Sequence, residues 1–301
     1  MQPITSLVQQ TIGPAIAVDP AVFEQQVAFA VRNCSVMSVD DIGSALRGGG
    51  RLPRRAVAFT FDDGMKDNYD VAAPILERHG CRAAFYVVTG CVDERHSPFF
   101  LRLRYALYTT RRTRWTDPVT GLTWDLERNE ERYRAFIAAV RFCTTAAPES
   151  QNRFLTAIEA DLGVSYDQTH GCASMTWSQI SELARRGHLI GGHSVSHVNL
   201  AQVPFWEACR EIAGARAAIR AQTGQDSLHV AYPNPTYNPH WSDDLARFLE
   251  ASGFRTGVTS DRGVVQGTDS RFGLQRVSPL GSLEEFRWVL EAAFGFGRAG
   301  A

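Results

Sequence analysis

The stretch 56–64 has a pattern of hydrophobic and small residues that predicts a central β-strand. Val57, Phe59 and Phe61 alternate with smaller residues along it. An apolar run of this kind is typical of a strand buried on both faces, as in the parallel sheets of α/β proteins. We therefore expect the rest of the fold to be organised around this strand.

Two aspartates, Asp62 and Asp63, follow the strand directly, and Gly64 permits the sharp backbone turn that comes after them. Because α/β folds place their chemistry at the carboxyl ends of their strands, the pair is a candidate for a functional site. Taken alone, an Asp-Asp-Gly sequence is more often a solvated acidic turn. The choice between the two interpretations depends on the rest of the chain.

Amphipathic spacing predicts helices on both sides of the central strand. Pro20–Asn33 places its apolar residues on one helical face, and Ser38 is a suitable N-cap for a second helix through Leu46. A third helix is expected at Asp70–His79, and an apolar strand follows at Cys81–Thr89. Strand, helix and strand at this spacing form a βαβ unit, which implies a parallel sheet.

Short strands and helices alternate again from residue 176 to the end of the chain. This regular alternation favours one α/β barrel over two separate domains. The predicted helices are Trp177–Arg186, Phe205–Thr223, Ser242–Ser252 and Leu283–Phe294. The predicted strands are Leu189–Gly192, Leu228–Tyr232, Thr256–Thr259 and Leu274–Val277.

Between about residues 97 and 172 this alternation stops, and we expect a helical insertion in a barrel that spans 56–301. Residues 1–55 are expected to form a helical segment that packs on the barrel, and 126–162 to form two helices around a turn at 148–150. The insertion is a candidate lid, partner surface or surface for homo-oligomer formation. Its early part carries five arginines among aromatic residues, Arg102, Arg104, Arg111, Arg112 and Arg114. Such a cluster can bind a phosphate or a nucleic-acid strand, but we favour a solvated face whose aliphatic stems cover apolar surface.

Composition and charge narrow the class of protein. The 301 residues carry a formal net charge of −1, so no basic field indicates a nucleic-acid partner. No run approaches the ~18 apolar residues of a membrane-spanning helix. The stretch 1–19 has neither early basic residues nor an unbroken apolar core, and the six cysteines are scattered without a CxxC spacing. We therefore expect a cytoplasmic protein with reduced thiols.

A second polar motif places His193 and His197 four positions apart, directly after the strand predicted at 189–192. Two histidines at this spacing can share a helix face or converge in a tight loop, and neutral imidazole is the commonest metal ligand. The pair alone is weak evidence for a metal. Together with two aspartates at another strand end it is much more informative, because two histidines and one carboxylate form a usual catalytic metal site. The second carboxylate is then free to act as a base on water.

The two motifs resemble those of the polysaccharide deacetylases, also called the NodB-homology family or carbohydrate esterase family 4. The matching motifs are Thr60-Phe61-Asp62-Asp63-Gly64 and His193-Ser194-Val195-Ser196-His197. The resemblance covers about residues 56 to 279, interrupted by the insertion. It implies an α/β fold of the distorted (β/α)7 barrel type. It also implies metal-dependent removal of an acyl group, usually acetyl from an N-acetylated sugar.

The resemblance also implies a role for each motif residue. Asp62 would be the general base, and Asp63 a metal ligand. His193 and His197 would complete the protein ligands. The implied cofactor is a divalent transition metal, with Zn²⁺ as the default, although Co²⁺, Ni²⁺ or Fe²⁺ would suit the same ligands.

The family's third motif, usually Arg-x-Pro followed by an aromatic residue, is altered in this chain. Ala231 stands where an arginine would orient the base, and Asn234 stands where an aromatic residue would offer its backbone N–H to an oxyanion. Any residue other than proline has an N–H group, so Asn234 can still take that role. The missing arginine leaves the partner of Asp62 open.

The family's last motif normally brings a histidine that protonates the leaving amine, and the matching stretch 273–279 has none. Arg276 in this stretch is a candidate catalytic residue that orients Asp62 or binds substrate, since its guanidinium does not donate a proton at neutral pH. His229 and His240 are candidate replacement acids. Each is more often a surface or capping histidine.

The expected substrate is an N-acyl amino sugar or a sugar-containing metabolite, rather than intact cell-wall polymer. O-acetyl ester hydrolysis and N-deformylation are alternatives, and the better leaving group of an ester lessens the need for a general acid. A sugar-binding protein on a degraded catalytic fold is the alternative from another class. The expected substrate-binding residues are Tyr232, Pro233, Asn234 and Trp177, with Tyr237 and Trp241 as further candidates for stacking on a sugar.

Overall fold

A curled sheet of six parallel strands forms the centre of the protein in a computed structural model, which describes residues 18–48, 50–94, 98–166, 173–233, 239–278 and 281–296. The described residues contain ten strands, of which six form this sheet. They are β1 Ser35–Val36, β2 Ala56–Val57, β3 Phe59–Phe61, β4 Ala83–Val87, β5 Arg114–Thr116, β6 Thr123–Asp125, β7 Leu189–Gly192, β8 His229–Ala231, β9 Thr256–Arg262 and β10 Leu274–Arg276. The order in the curled sheet is β10-β9-β8-β7-β4-β3, and β1–β2 and β5–β6 form separate pairs. Every neighbouring pair in the curled sheet is parallel, as the predicted βαβ unit requires.

Helices lie between most of these strands, which confirms the predicted α/β class. The helices are α1 Pro20–Asn33, α2 Val39–Gly48, α3 Ala73–Arg78, α4 Phe99–Thr109, α5 Asn129–Thr145, α6 Pro148–Leu162, α7 Trp177–Arg185, α8 Phe205–Thr223, α9 Asp243–Ala251 and α10 Leu283–Phe296. The helix predicted at 70–79 differs, because it begins as a π-helical turn, Asn68–Ala72, before α3. Ser38 caps α2 as predicted, since its hydroxyl accepts from the Asp41 N–H at 3.0 Å.

The predicted central strand is interrupted, and it is half-buried rather than buried on both faces. β2 pairs with β1, whereas β3 pairs with β4 in the curled sheet. β3 and β10 are the two edges of that sheet, and both border a cavity of about 770 Å³. Because this space lies along β3, all three of its residues keep part of their surface exposed.

The curled six-stranded sheet forms a half-barrel, and helix α2 covers the end of it at which the strands begin. Val39 and Ile42 of this helix pack with Tyr86 of β4 and Leu274 of β10 in a buried cluster inside the sheet. A second cluster, on the outer face of the sheet, joins Phe85 to the helices that cover it. The strands are therefore apolar on both faces, as expected for a parallel sheet covered on both sides.

The segment 98–162 forms a helical insertion with a hydrophobic core of its own. Helices α4, α5 and α6 surround a buried cluster that includes Leu107, Trp115 and Ile158. The two helices expected at 126–162 are present as α5 and α6, whereas helix α4 and the hairpin β5–β6 were not predicted. The turn lies just before 148–150, because Pro148 already belongs to the first turn of α6. The division of the chain at residues 55 and 172 stays a prediction.

The arginines of the insertion do not form one cluster. Arg102 donates to both carboxylate oxygens of Glu159, at 2.8 and 2.9 Å. Arg111, Arg112 and Arg114 are exposed at the start of the hairpin. This arrangement agrees with the solvated face that we favoured.

No helix among the described residues is both long enough and apolar enough to cross a bilayer. The cysteines that the structure describes are free thiols, namely Cys34, Cys81, Cys91, Cys143 and Cys209.

A buried hydrogen-bond network ties β4 to the helices on the outer face. His188 Nδ1 accepts from the Ala83 N–H at 3.2 Å, so its Nε2 carries the proton and donates to Glu77 at 2.8 Å. Arg186 donates to the same Glu77 carboxylate at 2.7 Å. Burial lowers the pKa of His188, although the Glu77 carboxylate opposes this effect.

We predict that His188 makes the free energy of unfolding depend on pH. The unfolded chain binds a proton at His188 below about pH 6.5, while the folded chain binds it only at lower pH, so stability falls as the pH drops below 6.5. Urea unfolding between pH 7 and 5 measures this dependence. The change in the free energy of unfolding per pH unit should be smaller in His188→Gln than in wild type, by up to about 1.4 kcal/mol. The surface variant His79→Gln serves as the control, and equal slopes in wild type and His188→Gln would contradict the assignment.

Candidate metal and catalytic site

The turn that carries the two aspartates is held by the segment that returns from the insertion. Asp63 has a left-handed backbone conformation with a φ of 71°, which is uncommon for a residue with a Cβ atom. Met175 N–H donates to the Gly64 carbonyl at 2.9 Å. Lys66 N–H donates to the Ala173 carbonyl at 2.8 Å. Strained backbone of this kind persists only where its surroundings fix it, and it is frequent at functional sites.

The end of β4 holds the loop that carries the two histidines, which we call the histidine loop (residues 193–197). His193 N–H donates to the carbonyl of Val87, the last residue of β4, at 2.9 Å. Gly90 N–H donates to the Val195 carbonyl, also at 2.9 Å. A Cβ atom at position 90 would lie 2.6 Å from that carbonyl oxygen, so the close approach requires glycine.

Glu211 of α8 fixes the other side of the histidine loop. One of its carboxylate oxygens accepts from the Val195 N–H at 2.9 Å and from the Ser196 N–H at 2.8 Å. Within the loop, Ser194 Oγ accepts from the His197 N–H at 2.8 Å. These bonds hold His197 at a φ of 61°, a left-handed conformation, and its Nε2 faces Asp63 Oδ1.

Glu211 was not among the predicted site residues, although the sequence contains a signal for it. Its neighbours on the buried side of α8 are Ala208, Ile212 and Ala215, so an acidic residue lies on an apolar helix face. Glu211 is only 4% exposed. A buried carboxylate needs hydrogen-bond donors, and the backbone N–H groups of the histidine loop provide them.

The two histidines and Asp63 converge on one point. Asp63 Oδ1 lies 3.1 Å from His197 Nε2 and 3.5 Å from His193 Nε2. One ligand atom from each of the three residues lies within 4.8 Å of the others. Both histidines are buried, and Asp63 Oδ1 is a buried oxygen that accepts no hydrogen bond from any described residue.

The donor atoms of these three residues fit a divalent cation. His193 Nδ1 lies 2.8 Å from the Ala231 carbonyl oxygen, which only accepts, so Nδ1 carries the proton and Nε2 keeps its lone pair. Burial lowers the pKa of His193, which favours the neutral imidazole that binds metals. A lone pair that faces a carboxylate oxygen in a buried site is repulsive without a cation between them. The geometry therefore suits a metal, without specifying which one.

Asp62 is paired with Arg276, which lies at the end of β10 on the opposite edge of the sheet. Arg276 donates to both Asp62 carboxylate oxygens, at 2.9 and 2.7 Å, and also to Thr60 Oγ1 at 3.1 Å. Burial alone would raise the pKa of Asp62, but the charge of Arg276 and the nearby His193 outweigh it and lower the pKa to about 2. Asp62 is therefore ionised at neutral pH and held in one orientation.

The side chain of Tyr232, predicted to bind substrate, is fully buried. Its hydroxyl donates to the Phe272 carbonyl at 2.8 Å, and its ring stacks on Trp241 with 6.0 Å between centroids. This packing leaves no free face on the Tyr232 ring for a sugar. It follows the default behaviour of a large aromatic side chain in a core.

The other predicted substrate-binding residues stay predictions. Pro233 is buried at the end of β8. Trp177 is half-buried at the start of α7, where it packs against the outer-face cluster. Asn234 and Tyr237 lie outside the described residues.

His229 and His240, the two candidate replacement acids, are both buried and hydrogen-bonded. His229 is the first residue of β8, at the end of the sheet opposite to the aspartates, where Nδ1 bonds Thr256 Oγ1 at 2.8 Å and Nε2 lies 3.7 Å from Asp40. His240 is 1% exposed, and its Nε2 accepts from the Ser260 N–H at 3.2 Å, so this nitrogen has no proton to give. The position of His229 argues against this role, and the role of His240 stays a prediction.

Comparison with known proteins gives the family of this chain. A sequence profile of the polysaccharide deacetylases matches residues 49–255, which is more than half of the chain. The chain belongs to the polysaccharide deacetylase family. The resemblance identified from the aspartate and histidine motifs is thereby confirmed, and so is the class of enzyme, a carbohydrate deacetylase, at the level of the family.

Individual relatives are distant. YxkH of Bacillus subtilis (strain 168), a protein named for the same family, is 18% identical over 223 residues, which cover 74% of this chain and 51% of YxkH. The chain thus spans about half the length of that curated relative. The deacetylase PplD of Streptococcus pyogenes, solved with acetate, has a TM-score of 0.60 at 19% identity and covers 96% of this chain and 92% of its own. IcaB of Ammonifex degensii has a TM-score of 0.56 at 18% identity, and the match covers 92% of this chain and 90% of IcaB. At these identities the solved structures support the NodB-type fold alone.

We predict that Glu211 controls the metal affinity of the site through the shape of the histidine loop. Glu211→Gln keeps the size of the side chain but removes the charge that strengthens both hydrogen bonds, so zinc affinity should fall about tenfold. Competition with a chelating dye measures this affinity. Glu207→Gln is the matched control, because Glu207 is also buried on α8 and does not bond the loop. Equal losses in both variants would mean a general effect on α8.

Proposed function

We propose that this protein is a metal-dependent deacetylase that removes the acetyl group from an N-acetylated sugar. The observation that carries the proposal is the convergence of Asp63, His193 and His197 beside an ionised Asp62. Three protein donors are the usual number in a catalytic zinc site, and a nearby carboxylate can serve as the base. Membership of the polysaccharide deacetylase family supports the same class of reaction.

Each residue has a separate task in this proposal. Asp63, His193 and His197 would hold the metal, which when bound would supply Lewis-acid chemistry to the acyl carbonyl and to a water molecule. Asp62 accepts the proton of the attacking water, and Arg276 keeps both carboxylate oxygens in place. Arg276 thus takes the orienting task that an arginine of the third motif has in the family. The N–H donor for the oxyanion, expected at Asn234, stays a prediction.

Zinc is the metal that we propose. Two imidazole nitrogens and one carboxylate oxygen, with a position left for water, suit catalytic zinc. Co²⁺, Ni²⁺ and Fe²⁺ accept the same donors, so ligand chemistry does not separate them from zinc.

The proposed substrate is a glycan or a smaller molecule that contains an N-acetylated amino sugar. The PplD structure contains acetate, and acetate is the product of the reaction that we propose. Residues that would fix the length or linkage of the sugar are not assigned by the family. The cytoplasmic location, the absence of a nucleic-acid partner and self-association through the insertion stay predictions.

An O-acetylated sugar is the second candidate substrate. The observations that favour it are the lack of a histidine in the stretch 273–279 and the position of His229 at the end of the sheet opposite to the aspartates. An alkoxide leaves more easily than an amine and depends less on a general acid. Release of formyl in place of acetyl, and sugar binding without catalysis, are alternatives that the experiments below also address.

We predict that purified protein binds about one zinc ion and that His193→Ala abolishes this binding, because the variant keeps only two of the three donors. Metal analysis of protein prepared without chelator measures the content. His79→Ala, a variant at a partly exposed histidine, should retain the metal. A wild type without metal, even after reconstitution, would favour the non-catalytic alternative.

We also predict that Asp62 and Arg276 act on the rate rather than on metal binding. Asp62→Asn should keep the zinc ion, but its kcat for acetate release from tri-N-acetylchitotriose should fall by a factor of about 10²–10⁴. Arg276→Lys should lose about tenfold or more, because lysine cannot make the paired hydrogen bonds. Arg271→Lys is the matched control, since Arg271 bonds the surface residue Glu250.

Parallel assays on N-acetylated, N-formylated and O-acetylated sugars distinguish the candidate substrates. If acetate were released faster from the O-acetylated sugar than from the N-acetylated one, ester hydrolysis would replace N-deacetylation as the proposed activity. If Asp62→Asn were as active as wild type on every substrate, the proposed base would be wrong.

A further inference from the structure

The helical insertion reaches the candidate metal site through two aromatic side chains at the start of α4. The ring of Phe100 lies 5.2 Å from the imidazole of His197, and the ring of Phe99 lies 5.7 Å from it, measured between centroids. Both distances fall in the range of direct aromatic contact. The insertion therefore touches one of the three proposed ligands.

The two phenylalanines differ in what their rings can contact. Phe99 is 2% exposed and belongs to the buried cluster of the insertion. Phe100 packs only partly against that cluster and keeps part of its surface exposed. Consecutive helix residues project about 100° apart, so one ring enters the insertion core while the next stays at its rim. Phe100 thus presents an apolar surface beside His197.

Backbone hydrogen bonds fix the insertion relative to the site. The Asn199 N–H, just after the histidine loop, donates to the Thr144 carbonyl at the end of α5, at 3.1 Å. The chain that leaves the insertion pairs with the turn after the aspartates through the bridge between Met65 and Ser174. The insertion therefore contacts both motifs, and the position of Phe100 beside His197 is set by more than its own side chain.

We infer that the insertion forms one wall of the substrate site and that Phe100 is a specificity-determining residue that contacts the sugar. The flat apolar face of an aromatic ring matches the C–H groups on one face of a pyranose, and pockets for such ligands combine aromatic walls with few polar groups. Phe100 occupies this position beside polar groups that act on the acyl bond. The inference rests on the proposed function, because it places the sugar next to the proposed metal.

The test compares a sugar substrate with one that has no sugar. Phe100→Leu keeps an apolar side chain of similar bulk against the insertion core but removes the flat ring. The KM for tri-N-acetylchitotriose should rise about fivefold, as expected for the loss of one aromatic contact. The kcat/KM for ethyl acetate and the zinc affinity should stay within about twofold of wild type. Phe142→Leu is the matched control, since the Phe142 ring packs against that of Phe154 inside the insertion, with 4.4 Å between centroids.

A binding measurement separates this inference from the proposed reaction. Calorimetry of zinc-loaded Asp62→Asn with tri-N-acetylchitotriose should give a Kd about fivefold lower than that of the double variant with Phe100→Leu. This result would support the sugar contact even if wild type released no acetate. An unchanged Kd and KM in Phe100→Leu would overturn the inference. A parallel loss of zinc affinity and of ethyl acetate hydrolysis would also overturn it, because Phe100 would then only support His197.

Discussion

The spacing of parallel strands is the constraint on which the whole site depends. β4 lies between β3 and β7, so the strand ends that precede Asp63 and His193 are about 10 Å apart. The ligand atoms of these residues nevertheless lie 3.5 Å from each other. The two loops must therefore bend toward each other over the end of β4. Left-handed backbone at Asp63 and His197 is the conformational cost, about 1 kcal/mol or more for each residue.

Hydrogen bonds from two sides offset this cost. The Val87 carbonyl at the end of β4 and the Gly90 N–H just after it hold the histidine loop on one side, and Glu211 of α8 holds it on the other. Glu211 is the strongest of these contacts, because its charge is buried and directed at two backbone donors. The same bonds fix the backbone that carries the two imidazoles, and the bond between His193 Nδ1 and the Ala231 carbonyl also fixes the ring of His193.

The sequence predicted the parts of this arrangement that depend on local pattern. The strands that end at the two motifs, the parallel pairing and the acidic and imidazole donors all follow from short stretches of chain. Glu211, the pairing of Asn199 with Thr144 and the contact of Phe100 with His197 were missed, because each joins residues that only the folded chain brings together. The central strand was predicted as buried because its alternation is apolar, and no local pattern shows that it lies at an open edge of the sheet.

Arg276 illustrates how a half-barrel relaxes the positions of catalytic groups. The family's arginine would come from the end of β8, where this chain has Ala231. The end of β10 lies across the open side of the sheet from β3, so a long side chain there can reach Asp62 from the other direction. The guanidinium is also bonded to Thr60 of β3 and to the Thr259 carbonyl of β9.

This triple attachment joins the two edge strands where the sheet itself does not pair them. The orientation of Asp62 and the link between the two edge strands therefore both depend on the side chain of Arg276. A substitution at Arg276 should affect both, whereas the control at Arg271 removes only a surface contact. In this chain the paired hydrogen bonds from Arg276 hold Asp62 in one orientation without an arginine at the end of β8.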